Sequence, residues 1–462
     1  YMKLFKSINS SALGGGYNNK LKLKKYKENN SKIIVGIFCV LIIFALSGVY
    51  LYRTYATFTE EKKFNVINGE IQDPGDIYFA YYVDDTITKE MPKQNTGYTL
   101  DTEKTNCTNG VIPTWDDSTW SINLNYQNYN ATDYTRTKCN LYFVEKKYTL
   151  VEYITTLANT DTTNFAVDDY GNTRYIGKSP NNYISFDGDM WRIIGIMKDI
   201  DDGTGNLSDR VKIIKNAGIG GYPWDTSDSS INNGNGVNEW SQADLMKLLN
   251  PGYESESVGG SLYWNNKSGT CYTNIKNATS SCGFTSNGIK ESLKNMIGNA
   301  IWKTGAITTL NQTVRSLYAE ERGTKNGKIC TKGNNCTDTV SRTTSWTGRL
   351  ALIYPSDYGY ATSGGSTTDR AACLNTNIGT WNTVTECYNN SWLRGGYRYM
   401  LSPLASSSSA ASVIIGTNTN ARIGNNYASV DYSTYPAAYL LSSVKIQSGD
   451  GTYSNPYILS GN

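Results

Sequence analysis

Histidine is absent from all 462 residues. Without an imidazole, Ser-His-Asp and Cys-His nucleophilic catalysis are excluded, and so is a histidine general base. Zinc is poorly served for a related reason. No CxxC spacing occurs, so a tetrahedral site would need four thiolates gathered from scattered loops. What chemistry remains open is a carboxylate pair, a Ser-Lys arrangement or reaction at cysteine. Adjacent acids are frequent: Asp84-Asp85, Asp116-Asp117, Asp168-Asp169, Asp201-Asp202 and Glu320-Glu321. Most sit among Gly, Asn and Thr, where turn chemistry is the ordinary explanation. No pair stands out as catalytic, and the chain reads as a binder rather than an enzyme.

One long apolar run is present. Ile33 to Tyr52 is 20 residues without a charge, which as a helix spans roughly 30 Å, the thickness of a bilayer's hydrocarbon core. Residues 1–32 hold Lys3, Lys6, Lys20, Lys22, Lys24, Lys25, Lys27 and Lys32 against the single acid Glu28. Excess lysine marks the cytoplasmic side, so the chain from Arg53 onward is expected outside. A cleaved signal peptide usually has an apolar core of only ~7–15 residues and small residues at its cleavage site. This run is longer, ends in Val49-Tyr50-Leu51-Tyr52 and has only Thr54-Tyr55-Ala56 beyond it. The expectation is therefore an uncleaved, single-pass signal-anchor with the N-terminus inside.

Of nine cysteines, Cys39 lies in the apolar run and eight lie beyond it. An even number of exported cysteines suggests disulfides, although spacing alone does not choose among pairings. Nearest neighbours are favoured: Cys107-Cys139, Cys271-Cys282, Cys330-Cys336 and Cys373-Cys387, each bracketing a polar loop rich in Gly, Asn and Thr. The net charge is +3 overall and +7 in the arm, leaving −4 beyond it, which argues against a nucleic-acid partner. Tyrosine is abundant (36, against 10 Phe and 10 Trp). Such a composition suits both exposed β-sheet and surfaces that bind through aromatic contact.

Composition shifts divide the chain. Residues 1–32 read as a disordered basic arm, 33–52 as the transmembrane helix and 53–65 as a charged stalk. From 66 to 146 a small all-β, sandwich-like module is expected. Its strands would include Ile77–Val83 and Lys138–Val144, with Trp115 and Trp120 as core anchors. Residues 148–462 mix helices and strands, an α+β domain. Helical spacing marks Leu150 to Leu157, a segment opened by Ser241 and stopped by Asn250-Pro251-Gly252, then Ile289 to Ile297 and Leu310 to Leu317. Met190–Met197 and Arg210–Lys215 read as a hairpin. Short strands are expected at 412–415, 437–441, 444–446 and 457–459.

Two segments invite functional readings. Asp199 to Asn206 superficially resembles a calcium loop, but the twelfth position from Asp199 is Arg210 where an EF-hand needs glutamate. A polar hairpin loop is the better reading. No cofactor is expected, and calcium bound by other loops has no motif to support it. Ser391-Trp392-Leu393-Arg394-Gly395-Gly396-Tyr397-Arg398-Tyr399 concentrates the residue types that dominate interfaces. Against that stands the ordinary outcome for a single Trp-x-Arg, a buried tryptophan and a tied arginine.

Several motifs carry a family resemblance. They are Cys107-Thr108-Asn109-Gly110 with Cys139 and Leu141-Tyr142-Phe143, then Trp191-Arg192-Ile193-Ile194-Gly195, and Tyr318-Ala319-Glu320-Glu321-Arg322-Gly323-Thr324. Tyr354-Pro355-Ser356-Asp357-Tyr358-Gly359-Tyr360-Ala361, Cys387 to Leu393 and the closing Ser448 to Tyr457 follow in order. The chain resembles a family of anchored surface proteins common in Gram-positive (Firmicutes-type) gut bacteria. Members end in a domain of unknown function related to C-type-lectin and sulfatase-modifying-factor folds. The resemblance implies a C-type-lectin-like α+β fold and a surface location, with no established reaction. Where the family usually carries a Gly-Val-Arg-Pro-like segment, this chain reads Ser433-Thr434-Tyr435-Pro436. The sulfatase-modifying relatives act through paired cysteines. Cys373 and Cys387 read here as a disulfide, so that activity is not carried over.

The leading expectation is an adhesin-type surface protein whose lectin-like domain binds a glycan or an extracellular protein ligand. Trp392, Arg394, Tyr397, Arg398 and Tyr399 are the expected contacts, backed by the Ser/Asn/Tyr-rich stretch from Ser406 to Tyr435. The alternatives are a structural cell-envelope component and a histidine-free glycan hydrolase with two carboxylates ~5–10 Å apart.

Overall fold

The computed structural model describes residues 77–461 apart from 95–96, 131–136, 228–231, 326–327, 330, 333–334, 337, 339 and 416–421. The expected arm, transmembrane helix and stalk lie outside the described residues, as do the start of the β module and Cys330 of the Cys330-Cys336 pair. Among the described residues no helix is long and apolar enough to cross a membrane. Helices and strands are mixed, strands predominating, and the chain divides into two compact units between Lys146 and Lys147.

Among its described residues, the first unit is built of strands: β1 (Tyr78–Val83), β2 (Thr86–Thr88), β3 (Tyr98–Leu100), β4 (Asn106–Cys107), β5 (Ile112–Asp116), β6 (Ser121–Asn125) and β7 (Lys138–Glu145). The two β-rich runs legible in the sequence are β1 and β7. They pair parallel, from Tyr78 opposite Lys138 to Val83 opposite Phe143. β2, β3 and β4 complete a five-stranded sheet around them. β5 and β6 form a separate hairpin. Trp115 and Trp120 meet edge-on at 4.9 Å and both cover Phe143. They close a core of Leu100, Ile122, Cys139, Leu141 and Phe143. The Cys107–Cys139 disulfide ties β4 to β7 inside it.

In the second unit α1 (Leu150–Ala158) comes first. Thr149 Oγ1 accepts the Glu152 amide while the Glu152 carboxylate accepts the Thr149 amide, a reciprocal cap. Leu150 and Ile154 supply the buried face. Strands β8 (Phe165–Val167), β9 (Thr173–Tyr175), β10 (Tyr183–Phe186), β11 (Asp189–Asp201), β12 (Leu207–Lys215) and β13 (Gly221–Tyr222) follow. Next come α2 (Asp244–Leu249), α3 (Val314–Glu321), β14 (Leu350–Ala351) and α4 (Pro355–Tyr360). The C-terminal part contributes β15 (Arg398–Pro403), β16 (Ala410–Ile415), β17 (Arg422–Tyr427), β18 (Tyr432–Ser433) and β19 (Ala437–Tyr439). The larger sheet runs β14-β19-β12-β11-β9-β8, with β10 also on β11; a second runs β13-β18-β15-β16-β17.

β11 and β12 are the hairpin read from sequence, paired antiparallel. The acids of its turn are consumed locally. Asp201 accepts the Gly203 amide at 2.8 Å and Asp202 the Thr204 amide at 2.7 Å. The centre of β11, Ile193 to Met197, is buried at every residue, so it reads as a continuous apolar run rather than an alternating one. At Gly195 a Cβ would lie 2.1 Å from the Thr173 carbonyl, so β9 can close on β11 only against glycine.

Three helices differ from the sequence reading. Ser241 lies in a short 3-10 turn, where the Glu239 side chain accepts its amide, and α2 begins at Asp244. α3 starts after Thr313, which caps it, so Leu310 is outside. The helix expected over Ile289 to Ile297 is a single turn, Glu291–Lys294. Ile289, Leu293, Met296 and Ile297 are nevertheless all buried. Their spacing reported burial, which a loop crossing the core also satisfies. One continuous core runs from Leu150 to Leu459, and loops on it are stapled by Cys271–Cys282 and Cys373–Cys387.

Candidate functional site

The segment after the Cys373–Cys387 disulfide crosses one end of the core and builds a wall of an open cleft of about 340 Å³. Its lining includes Arg192, Lys215, Trp392, Arg394, Arg398 and Tyr435. Gly395 and Gly396 shape it, with φ of +91° and +75°. That left-handed backbone, which glycine adopts without Cβ strain, turns the chain so that Arg394 and Arg398 reach the same cavity.

Trp392 is only 7% exposed. Its indole N–H donates to the Tyr175 carbonyl at 2.9 Å. The Arg192 guanidinium lies between two rings, 4.3 Å from the centroid of Trp392 and 4.4 Å from that of Tyr183. Arg192 also donates to the Asn182 side chain at 2.8 Å. Arg394 donates to the carbonyl and side-chain oxygens of Asn389, at 2.9 and 2.8 Å. Arg398, 6% exposed, donates to the Leu393 carbonyl and sits 4.8 Å over the Tyr435 ring. Lys215 is ion-paired with Asp189.

The cleft thus unites three of the five expected contacts, Trp392, Arg394 and Arg398. Tyr397 and Tyr399 go elsewhere, because alternation along the chain turns them to the opposite side from Arg398. Tyr399 is 1% exposed, and its hydroxyl donates to the Tyr427 and Val430 carbonyls, so it braces a turn instead of meeting solvent. Tyr397 is 50% exposed and lies nearly parallel to Tyr432 at 6.3 Å, outside the cleft lining. Sequence reading missed Arg192 and Lys215, and it held Tyr435 only as the end of the Ser406 to Tyr435 stretch. The one available signal was an arginine inside the apolar run Trp191 to Ile196, since a charge there has to face a polar space.

A second constellation lies buried among β9, β12 and α4. Arg174 bonds Asp168 at 2.8 Å and Asp357 at 2.7 Å, and Lys212 reaches Asp357 at 2.5 Å. Burial opposes ionisation of Asp357, but Lys212 and Arg174 outweigh it and hold the carboxyl well below the usual range. Burial pulls the Lys212 amine down to about 8 against the Asp357 charge. Burial also pushes the Glu321 carboxyl up to about 7, despite Arg322 and the Ser356 donors. Asp168 serves its own turn, accepting the Tyr170 and Asn172 amides, and is buried as well; Glu320 and Glu321 are interior acids, Glu320 accepting the Thr308 amide and the Gln312 side chain. Sealed from water, Asp168 and Asp357 offer no oxygen to a substrate; they lock the sheet to α4. Among the described residues no group of three or more His, Cys, Asp or Glu side chains is placed to hold a metal ion.

Comparison of the chain with protein-family models, with curated proteins and with solved structures finds no match.

Proposed function

We propose that the chain is a membrane-anchored bacterial surface protein whose second unit, a lectin-like α+β domain, binds an extracellular glycan or protein ligand in the cleft beside Trp392. The observation that carries this reading is the convergence of Arg192, Arg394 and Arg398 with Trp392 and Tyr435 on one open cavity. Ligand sites combine concavity, flat apolar area and a few directed polar groups in this way. The anchored topology rests on the lysine-rich arm and uncharged run at 1–52. The lectin-like assignment rests on the motif resemblance, with which an α+β unit carrying disulfide-closed loops agrees in class.

The test is a screen of the full chain, in non-ionic detergent with disulfides formed, on arrays of glycans and extracellular proteins. A defined hit is expected. It should be lost in the Trp392→Ala/Arg394→Ala double variant and retained in Tyr397→Ala. Retention in the double variant would remove the cleft from the proposal.

A further inference from the structure

We infer that the cleft is a receptor for a compact oxyanion, the carboxylate or sulfate of a single acidic sugar residue, held by Arg192, Arg394 and Arg398. The inference rests on the ligand-binding reading above and gives it a substrate class.

The first ground is uncompensated charge. Four cations line the cleft, and among the described residues only Lys215 has a carboxylate of its own, Asp189. Among the described residues, Arg192, Arg394 and Arg398 meet carbonyl and amide oxygens and aromatic rings. Such acceptors satisfy individual N–H groups but leave the positive charge unbalanced. Charges withdrawn from water are ordinarily paired, and an unpaired one is costly. Burial draws the Arg192 guanidinium down to about 10, and the Arg398 charge adds to that against Tyr183. The two arginines therefore repel across the cavity they share.

The fit of the donors is the second ground. An oxyanion in the cleft would supply the negative charge that Arg192, Arg394 and Arg398 lack. Guanidinium forks suit carboxylate and sulfate oxygens, and charge-assisted bonds of this kind are the strong ones.

Size and walls favour a sugar as the carrier. About 340 Å³ is at the small end for a ligand pocket. It exceeds what a bare anion fills and matches one ring with its acid group. The rings of Trp392 and Tyr435 are positioned by the same arginines that would hold the anion.

The full chain in non-ionic detergent would be titrated calorimetrically with four probes. They are trigalacturonic acid, its methyl ester, sodium sulfate and an oligoglutamate peptide. The acid is expected to bind at least about tenfold tighter than the ester, the loss typical when a charged hydrogen bond is removed. It should also bind tighter than sulfate and the peptide. Arg394→Gln, at a partly buried position, should lose about the same factor for the acid and little for the ester. Arg192→Gln should do likewise if its melting temperature is unchanged, and Arg394 decides the matter if it is not. Equal binding of acid and ester, both abolished by Trp392→Ala, would overturn the oxyanion inference and leave the cleft as a neutral-ligand site. Tighter binding of sulfate or of the peptide would overturn the sugar as carrier. Acid binding indifferent to Arg394→Gln would overturn the site. Silence of all four probes overturns the inference, and the array screen then decides separately whether the cleft binds anything.

Discussion

Arg192 shows how much a single side chain's meaning depends on neighbours far along the chain. It sits between Tyr183 and Trp392, and no local pattern announces that arrangement. The buried acids carry the clearest residue-level prediction. Asp357 is ionised at far lower pH folded than unfolded, so its contribution is present above about pH 4 and lost as pH falls through and below that value. Glu321 works with the opposite sign. Folded, it keeps its proton up to about 7, against 4.5 when unperturbed. The folded state then holds the extra proton between those values, and stability falls as pH rises, by at most about 1.4 kcal/mol per unit. Denaturant unfolding of Glu321→Gln at pH 5 and pH 7.5 should show a smaller difference than the parent. Asp357→Asn should cost ~3–5 kcal/mol at neutral pH, because Arg174 and Lys212 lose their shared carboxylate inside the core. A variant as stable as the parent would mean that the ion network does not hold the sheet to α4.

At the level of elements, β11 and β12 were readable because both faces of the central strand are buried and the turn between them is rich in Asp and Gly. The helix expected over 289–297 was misread for the converse reason, since helical spacing reports burial and not hydrogen bonding. Close packing of β9 on β11 gives this scale its prediction. Gly195→Ala places a Cβ against the Thr173 carbonyl and should cost about 1–3 kcal/mol, as overpacking does. Gly205→Ala, in the hairpin turn with nothing within 4 Å of its Cβ, should cost less, about 1 kcal/mol for the left-handed backbone alone. Melting temperatures of the two variants, measured side by side, decide it; equal losses would show that β9 can move away.

For the whole molecule, the two units have separate cores, one centred on Leu141 and Phe143 and the other running from Leu150 to Leu459. Separate cores predict separate cooperative transitions. Calorimetry on the full chain should resolve two, and Asp357→Asn should move only the larger one. A single transition shifted as a whole would show the units to be energetically coupled. Reduction should lower both, because Cys107–Cys139 lies in the first core while Cys271–Cys282 and Cys373–Cys387 close loops on the second.

Some properties belong to the chain whatever shape it takes: no imidazole, a 20-residue uncharged run after eight lysines, and eight cysteines beyond that run. The strands at 78–83 and 138–145, the central hairpin and α1 were also legible, because each is set by patterning over a few residues. Folding decided the rest. It set β1 parallel to β7, put Asp168 and Glu321 in the interior, and brought Arg192, Lys215 and Tyr435 to Trp392 while turning Tyr399 inward. Periodicity says which face of an element is apolar but not which distant element covers it. A site assembled from β11, β12 and the segments around Trp392 and Tyr435 exists only once the common core has closed.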